Sequence, residues 1–185
     1  MARCSNAHYG ALLLCLLPAV PPLAANTTAV EFRAQISDGS CELMLSETAL
    51  SYGVHRVSDL QAASTASLLP LTAGIQCSGA TTPTLSISGN TYTTASVPQQ
   101  ALFRDADSVA SGVGFMVRRD NGGITAGNFY NPSAALVNGV PVTLPAVTEG
   151  SVHKEPLLLG LVRAGNEPVT PGIVKATLTF KVTYE

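Results

Sequence analysis

The residues of this 185-residue chain best suited to forming a covalent bond are its four cysteines. Cys4 and Cys15 lie within the first 25 residues, and only Cys41 and Cys77 follow them. Because an even number of cysteines in an exported chain indicates a disulfide, we expect Cys41 and Cys77 to be bonded, with two free thiols as the alternative. The bridge would close a loop of about 36 residues and contribute roughly 4 kcal/mol in the chain-entropy model.

Groups that could act as acids, bases or metal ligands are scattered. His55 and His153 are about a hundred residues apart, and neither has a nucleophile motif beside it. With two distant cysteines they form no set of zinc ligands, so we expect no metal site and no cofactor. The charges at Asp105, Asp107 and residues 118–120 are more simply explained as solvated turns. We therefore predict that the protein is not an enzyme and has no catalytic residues.

The first 25 residues have the pattern of a secretory signal peptide. Arg3 precedes the apolar run ALLLCLLPAV at 11–20, which is too short to span a bilayer, and small residues end at Ala25, where we place the cleavage. A lipoprotein site at Cys15 is the alternative, although Leu14 is bulky for the position before such a cysteine. Cleavage leaves nine basic and twelve acidic residues, a net charge of −3 that gives no electrostatic case for nucleic-acid binding.

Short alternating runs separated by Gly, Pro, Asn and Ser make up the rest of the chain, and only 12% of all residues are charged. This profile is typical of an all-β sandwich or barrel. A polar connection is predicted at 54–68, and the strand at 157–161 is predicted to be central because it is apolar on both faces. The strands are predicted at 41–45 (continued or restarted at 49–53), 71–77, 84–88, 113–117, 140–144, 157–161 and 175–184.

Both ends of the mature chain alternate with the two-residue period of a strand that has one apolar face. The N-terminal run shows this face at Thr28, Val30, Phe32, Ala34 and Ile36, and the C-terminal run shows it at Ala176, Leu178, Phe180, Val182 and Tyr184. The two strands could lie side by side in one sheet. However, only four residues separate Ile36 from Cys41, which leaves little room to fold back and favours a sheet in another molecule.

The runs NTTAVEFRAQISDGSC at 26–41 and VTPGIVKATLTFKVTYE at 169–185 resemble the two ends of chaperone–usher pilus subunits, the family of type 1 and P pili. Tyr184 is the penultimate residue and Gly172 is the fourteenth from the end, and both are hallmarks of that family. The two cysteines, and Val113-Gly114-Phe115 before a charged turn, fit as well. Residues 91–110 and 124–150 show no resemblance, and Ala34 stands where the family usually has glycine.

The resemblance implies an incomplete immunoglobulin-like sandwich that is completed by a donated strand. Its parts would be a signal peptide at 1–25, a donor-strand extension at 26–40 and a pilin domain at 41–185. The implied donor residues are Thr28, Val30, Phe32, Ala34 and Ile36. The implied acceptor edge, which also binds the chaperone, is Gly172, Ala176, Leu178, Phe180, Val182, Tyr184 and Glu185.

The resemblance also implies a function and a set of partners. The chain would be a structural subunit of a surface fimbrium that supports cell adhesion, exported through the periplasm to the bacterial surface. Its partners would be neighbouring pilus subunits, a periplasmic chaperone and an outer-membrane usher, with a host receptor as a further candidate. A single-domain tip adhesin or a secreted lectin-like binding module is the alternative.

Overall fold

The computed structural model describes residues 40–98 and 100–184. The predicted signal peptide, the donor residues from Thr28 to Ile36, and Glu185 lie outside the described residues. Two short 3-10 helices, Val57–Asp59 and Pro132–Ala134, are the only helical elements in this part of the chain, and neither is long or apolar enough to cross a membrane. The strands are β1 (Cys41–Leu45), β2 (Thr65–Cys77), β3 (Thr84–Gly89), β4 (Val113–Arg119), β5 (Val142–Thr143), β6 (Val152–Arg163) and β7 (Leu178–Thr183).

The seven strands form two antiparallel sheets. One sheet has the order β1-β2-β6-β4 and the other has the order β5-β3-β7. The prediction that the strand at 157–161 is central is confirmed, since β6 is hydrogen-bonded to β2 on one side and to β4 on the other. The fold is the all-β, immunoglobulin-like sandwich that the sequence predicted.

The main core lies between the two sheets, and the alternating residues of each strand fill it. Leu71, Ala73, Ile75 and Cys77 of β2 are buried, as the period-two pattern predicted, and so are Leu85 and Ile87 of β3. Leu157 and Leu159 of β6 contribute from the same sheet as β2, whereas β3 belongs to the facing sheet. On β7 the predicted alternation is also present, because Leu178, Phe180 and Val182 are half-buried against this core whereas Lys181 is exposed.

The predicted disulfide is present and joins β1 to β2. Cys41 and Cys77 are directly opposite each other in the antiparallel register, with their Cα atoms 4.1 Å apart. The same end of the ladder is extended by Ser40, whose backbone N–H donates to the Ser78 hydroxyl at 2.8 Å. The disulfide therefore fixes the register at the point where the chain enters the sandwich.

A second hydrophobic cluster covers the outer face of the β2-β6-β4 sheet. It is made by the irregular segments 91–112 and 124–139, which pack on outward-facing residues of the sheet. Gly160 lies in this face, and glycine is needed there because a Cβ at that position would overlap the ring of the fully buried Phe129. The buried members of the cluster are Val97, Ala101, Leu102, Met116, Phe129, Leu158, Val162 and Ala164.

Four predicted elements differ from the structure, and the shorter C-terminal strand is described with the groove below. The strand at 140–144 is reduced to Val142–Thr143, because Pro141 and Pro145 on either side have no N–H to donate. The polar connection predicted at 54–68 is too long: β2 begins at Thr65, and residues 66–69 are all half-buried, so the start of this strand shows no alternation of buried and exposed residues. The strand predicted at 49–53 is not formed, for a reason that lies in the groove described below.

A nearly buried carboxylate is held at one end of the main core. Glu155 accepts from Arg119 Nε at 2.5 Å and Arg119 Nη2 at 3.0 Å, and it lies 3.0 Å from His153 Nε2. Burial raises the pKa of Glu155, but the hydrogen bonds from Arg119 and His153 outweigh burial and keep the pKa below its usual value. Glu155 is therefore ionised and has a structural role, and Arg119 is held by its two hydrogen bonds to Glu155.

Candidate functional site: an open groove between two strand edges

An apolar groove of about 1040 Å³ opens between the two sheets on the side where β1 and β7 lie. One wall is the segment that follows β1, including Leu50 and Tyr52, and the other is the chain leading into β7. The buried residues Leu71, Val113 and Leu161 are among those at its base. A groove of this depth leaves part of the main core without a covering layer.

Neither wall of the groove has a full set of backbone hydrogen bonds. Each of β1 and β7 has one hydrogen-bonded neighbouring strand within the described residues, β2 and β3 respectively. The backbone N–H groups of residues 47–55 donate no hydrogen bond to any part of the chain that the structure describes. Because a backbone edge with unpaired N–H and C=O groups is a template for pairing with another chain, two such edges facing one groove form a place for an additional strand.

This arrangement explains why the predicted strand at 49–53 is absent. Leu50 and Tyr52 alternate as in a strand and both point into the groove. The backbone–backbone hydrogen bonds of this segment within the described residues are at its two ends, where Ser46 N–H donates to Thr72 O at 2.9 Å and the turn at 56–60 follows. A strand needs a hydrogen-bonded neighbour, and this segment has none within the described residues.

Tyr52 is the aromatic residue of the wall that the sequence did not single out. Its ring packs against Phe115, with the ring centroids 5.1 Å apart and tilted at 49°. Its hydroxyl group is buried and has no hydrogen-bond partner among the described residues, and burial raises its pKa. An unpaired buried hydroxyl at a groove wall is a polar group that an inserted backbone could satisfy.

The opposite wall contains part of the predicted acceptor edge. Gly172, Ala176, Leu178 and Phe180 line the groove, together with Val174, which the sequence did not single out. Val182 packs against the main core, and Tyr184 is half-buried. Neither Val182 nor Tyr184 lines the groove, which therefore runs beside residues 172–180 and ends before the C-terminus.

The predicted C-terminal strand is shorter than expected, because residues 173–177 are held by a loop instead of a strand. Val109 and Ala110 both donate their N–H groups to Ile173 O, at 2.8 and 3.1 Å, and Asp105 N–H donates to Lys175 O at 2.8 Å. The Asp105 carboxylate accepts from the Thr177 N–H at 3.0 Å and from its hydroxyl at 2.9 Å. These hydrogen bonds hold residues 173–177 on the side away from the groove. The opposite backbone edge of the same residues faces the groove.

Gly172 begins this wall in a conformation that only glycine adopts readily. Its φ is +152°, and a Cβ there would lie 2.6 Å from the backbone N of Ala110. The loop at 109–110 can approach the wall only because that Cβ is missing. The structure thus gives a local physical reason for the glycine at the fourteenth position from the C-terminus.

The charged residues that could have indicated catalysis have structural partners. Asp105 binds Thr177, Asp107 forms an ion pair with Lys175 Nζ at 2.5 Å, and Arg118 Nη1 donates to the carbonyl oxygen atoms of Asn128 and Phe129. The Asp120 carboxylate accepts from the N–H of Gly122 at 3.0 Å and closes the predicted turn. His55 Nε2 lies 2.8 Å from Tyr52 O in the groove wall, about a hundred residues from His153 in the chain.

Comparisons with known proteins agree with this geometry. The family model described as "Fimbrial protein" matches residues 30–185. No curated protein matches the chain.

Three solved structures share the fold at low sequence identity. A Burkholderia pseudomallei antigen and type I fimbria protein has a TM-score of 0.53 and 17% identity, over 79% of this chain and 99% of its own. A chaperone–usher pilus, in a study of rod uncoiling, has a TM-score of 0.54 and 15% identity, over 90% of this chain and 100% of its own. The P pilus rod subunit PapA has a TM-score of 0.50 and 15% identity, over 85% and 100%.

Proposed function

The chain belongs to the fimbrial protein family, and from this we propose that it is a structural subunit assembled by donor-strand exchange. The observation that carries the proposal is the groove, with unpaired backbone edges at residues 47–55 and at the chain leading into β7. The inserted strand is the segment 28–36 of a neighbouring subunit. Main-chain hydrogen bonds give such an insertion its affinity, and alternate side chains give it its register.

We place the inserted strand antiparallel to the chain leading into β7, which makes it parallel to residues 47–55, because the two walls run in opposite directions. Antiparallel pairing is slightly more stable per residue, and every strand pair within the described residues is antiparallel. An antiparallel strand has Thr28 beside the later part of the wall, near Phe180, and Ile36 beside Gly172. In this direction five donor side chains meet the five alternate wall positions 172, 174, 176, 178 and 180.

This register gives the donor side chains complementary sizes. Phe32 lies opposite Ala176, and Ile36 lies opposite Gly172, so the largest donor groups meet the smallest wall residues. Ala34, where the family usually has glycine, lies opposite Val174, which is half-buried at the groove. The extra methyl group therefore has to fit beside a β-branched side chain, and it is the position where insertion is slowest.

The energy of insertion is sufficient only because the groove is already present. Burying Val30, Phe32 and Ile36 contributes about 1.5 to 3 kcal/mol each, and each ladder hydrogen bond adds roughly 0.5 to 1.5 kcal/mol. Ordering the donor backbone costs about 1 to 2 kcal/mol per residue, which roughly balances these gains. The surplus comes from covering half-buried apolar side chains that line the groove, such as Leu50, Phe115 and Phe180, and it makes dissociation slow.

The same groove explains the other proposed partners. A periplasmic chaperone fills it with one of its own strands before assembly and holds the carboxylate of Glu185 with basic residues. An outer-membrane usher is the place where the next subunit's extension replaces that strand. The product is a pilus on the bacterial surface that supports adhesion, to a host receptor if the chain is itself an adhesive subunit.

The first experiment separates donor from acceptor. The mature chain, with and without residues 26–40, is co-expressed with a periplasmic chaperone of the family and then tested for polymerisation as a ladder resistant to sodium dodecyl sulfate. Both forms should be held soluble, because both keep the groove, and only the full-length form should polymerise. Polymerisation of the truncated form would show that the donor lies elsewhere, and failure of both forms to bind chaperone would show that the groove is not the acceptor.

Phe32→Asp tests the inserted face directly. The substitution puts a charge into the groove and should abolish the ladder while chaperone binding stays unchanged. Gln35→Asp is the matched control, since it adds the same charge to the outward face of the donor and should still polymerise. Loss of chaperone binding with Phe32→Asp would instead indicate that residues 28–36 belong to the subunit's own sandwich.

Ala34→Gly should increase the rate of insertion, and an unchanged rate would contradict the crowding beside Val174.

A further inference from the structure

Four exposed apolar side chains surround the end of the groove where residue 172 lies. Val54 is 100% exposed, Ile173 is 74%, Val109 is 70% and Val57 is 44%. Val54, Val57 and Ile173 line the groove, and the Val109 N–H is bonded to the carbonyl of Ile173. We call these four residues the mouth patch. All four stay largely open to solvent within the described residues, although burying such side chains would be favourable.

The mouth patch lies at the opposite end of the subunit from the point where the chain enters the sandwich. Cys41 is opposite Cys77, and a few residues further on Thr84 is opposite Thr183, so Cys41 lies toward the C-terminal end of β7. The other end of the same strand pair has Gly89 opposite Leu178, and Ile173 lies beyond it. A subunit therefore has its Cys41 end and its mouth patch at opposite poles.

We propose that the mouth patch is a docking surface for the Cys41 end of the next copy of this chain. The inference rests on the proposed donor-strand function. An antiparallel donor has Ile36 beside Gly172, at the mouth of the groove. Five backbone steps separate Ile36 from Cys41, and a fully extended chain spans at most about 18 Å over them. The body of the next copy therefore has to lie directly above the mouth patch.

The contact is between different surfaces of identical chains, so it repeats from copy to copy, and it produces a linear polymer when the rotation between copies does not close a ring. The Cys41 end of the next copy offers Ser40 and Ser78, joined by their hydrogen bond, and the half-exposed Val152 where β6 begins. Burial of the mouth patch against this end fixes the angle between successive subunits. The inserted strand holds two subunits together, and the mouth patch makes the joint between them stiff.

The test uses a double variant, Val54→Thr with Ile173→Thr, in the full-length chain. Threonine keeps the branched shape and removes apolar surface. Val140→Thr is the matched control, because Val140 is also half-exposed (50%) and does not line the groove. All three chains are polymerised from their chaperone complexes, and two quantities are measured: the detergent-resistant ladder, and the persistence length of the fibres in negative-stain electron micrographs.

The double variant should form the same ladder as the wild type, with a persistence length shorter by at least about threefold, because half of the side chains at the joint lose their apolar contact. Val140→Thr should match the wild type in both measurements. An unchanged persistence length in the double variant would overturn the docking surface. Loss of its ladder would also overturn it, since the patch would then act in insertion. Absence of a ladder in every chain, wild type included, would instead refute donor-strand assembly.

Discussion

Replacing Gly172 with alanine tests whether the wall of the groove depends on a backbone conformation reserved for glycine. The φ of +152° lies in a region that L-residues rarely adopt, and a residue forced into such a region costs about 1 to 3 kcal/mol. The new Cβ would also lie 2.6 Å from the backbone N of Ala110 and 2.9 Å from the carbonyl carbon of Val109. Backbone atoms cannot rotate away, so the loop at 109–110 has to shift, at a further cost of about 1 to 3 kcal/mol.

Gly122→Ala is the control that separates the two contributions. Gly122 also has a positive φ, +82°, but a Cβ there would have no atom within 4 Å. Its replacement should therefore cost only the conformational penalty, about 1 to 2 kcal/mol. Gly172→Ala should cost about 2 to 6 kcal/mol in total, because it adds the displacement of the loop.

Urea unfolding of the monomeric chain, followed by circular dichroism, measures the difference. With an m-value of about 2 kcal/mol/M, Gly122→Ala should lower the midpoint by about 0.5 to 1 M and Gly172→Ala by about 1 to 3 M. Gly172→Ala should also weaken chaperone binding, because the shifted loop holds the wall through Ile173. Equal midpoints for the two variants would refute the argument that close approach of the loop requires glycine.

Two further predictions concern the core. Because the folded-state pKa of Glu155 is lower than its unfolded value, the ionised carboxylate stabilises the fold fully above about pH 4.5 and less as the pH falls below it. Glu155→Gln should lower the free energy of unfolding by about 1 to 3 kcal/mol at neutral pH. It should also make the free energy of unfolding fall less steeply as the pH is lowered below about 4.5. An unchanged dependence on pH in this range would show that other carboxylates control acid stability. Gly160→Ala should destabilise the outer cluster by about 1 to 3 kcal/mol, because its Cβ overlaps the ring of Phe129. Phe129→Leu in the same chain should recover part of that loss in thermal unfolding, and strictly additive losses would place the conflict elsewhere.

The strands of the main core could be predicted from the sequence because each has one buried face. Burial of alternate residues gives the period of two at Leu71 to Cys77, at Leu85 and Ile87, and along β7. The cysteine pair could be predicted as well, since only two cysteines follow residue 25. In each case one local rule, alternation or counting, is sufficient.

The outer cluster could not be predicted, because no local period describes it. Phe129 and Leu102 are fully buried, yet each lies in an irregular segment whose backbone is held by scattered contacts. Arg118, for example, fixes the loop at 128–129 through two carbonyl oxygen atoms, and this pairing depends on the strand where Arg118 lies. Tertiary contacts of this kind produce no periodic pattern in the sequence. All that the sequence shows for these segments is their composition, which is rich in Ser, Thr and Ala.

The groove lies between these two cases, since the sequence has the pattern of a strand where the described residues form none. Leu50 and Tyr52 alternate although residues 47–55 lack a hydrogen-bonded neighbour within residues 40–98 and 100–184, and the alternation on the other wall begins before Leu178, where β7 starts. Alternation reflects burial on one face, and in the single chain these residues face an open groove. A pattern that the monomer does not use is what we expect of residues whose buried state is reached only when a strand from another subunit lies between them. In the donor-strand assembly that we propose, the alternation of the two walls reflects the assembled state, and Ala34 of the inserted strand is the residue whose fit decides how quickly that state is reached.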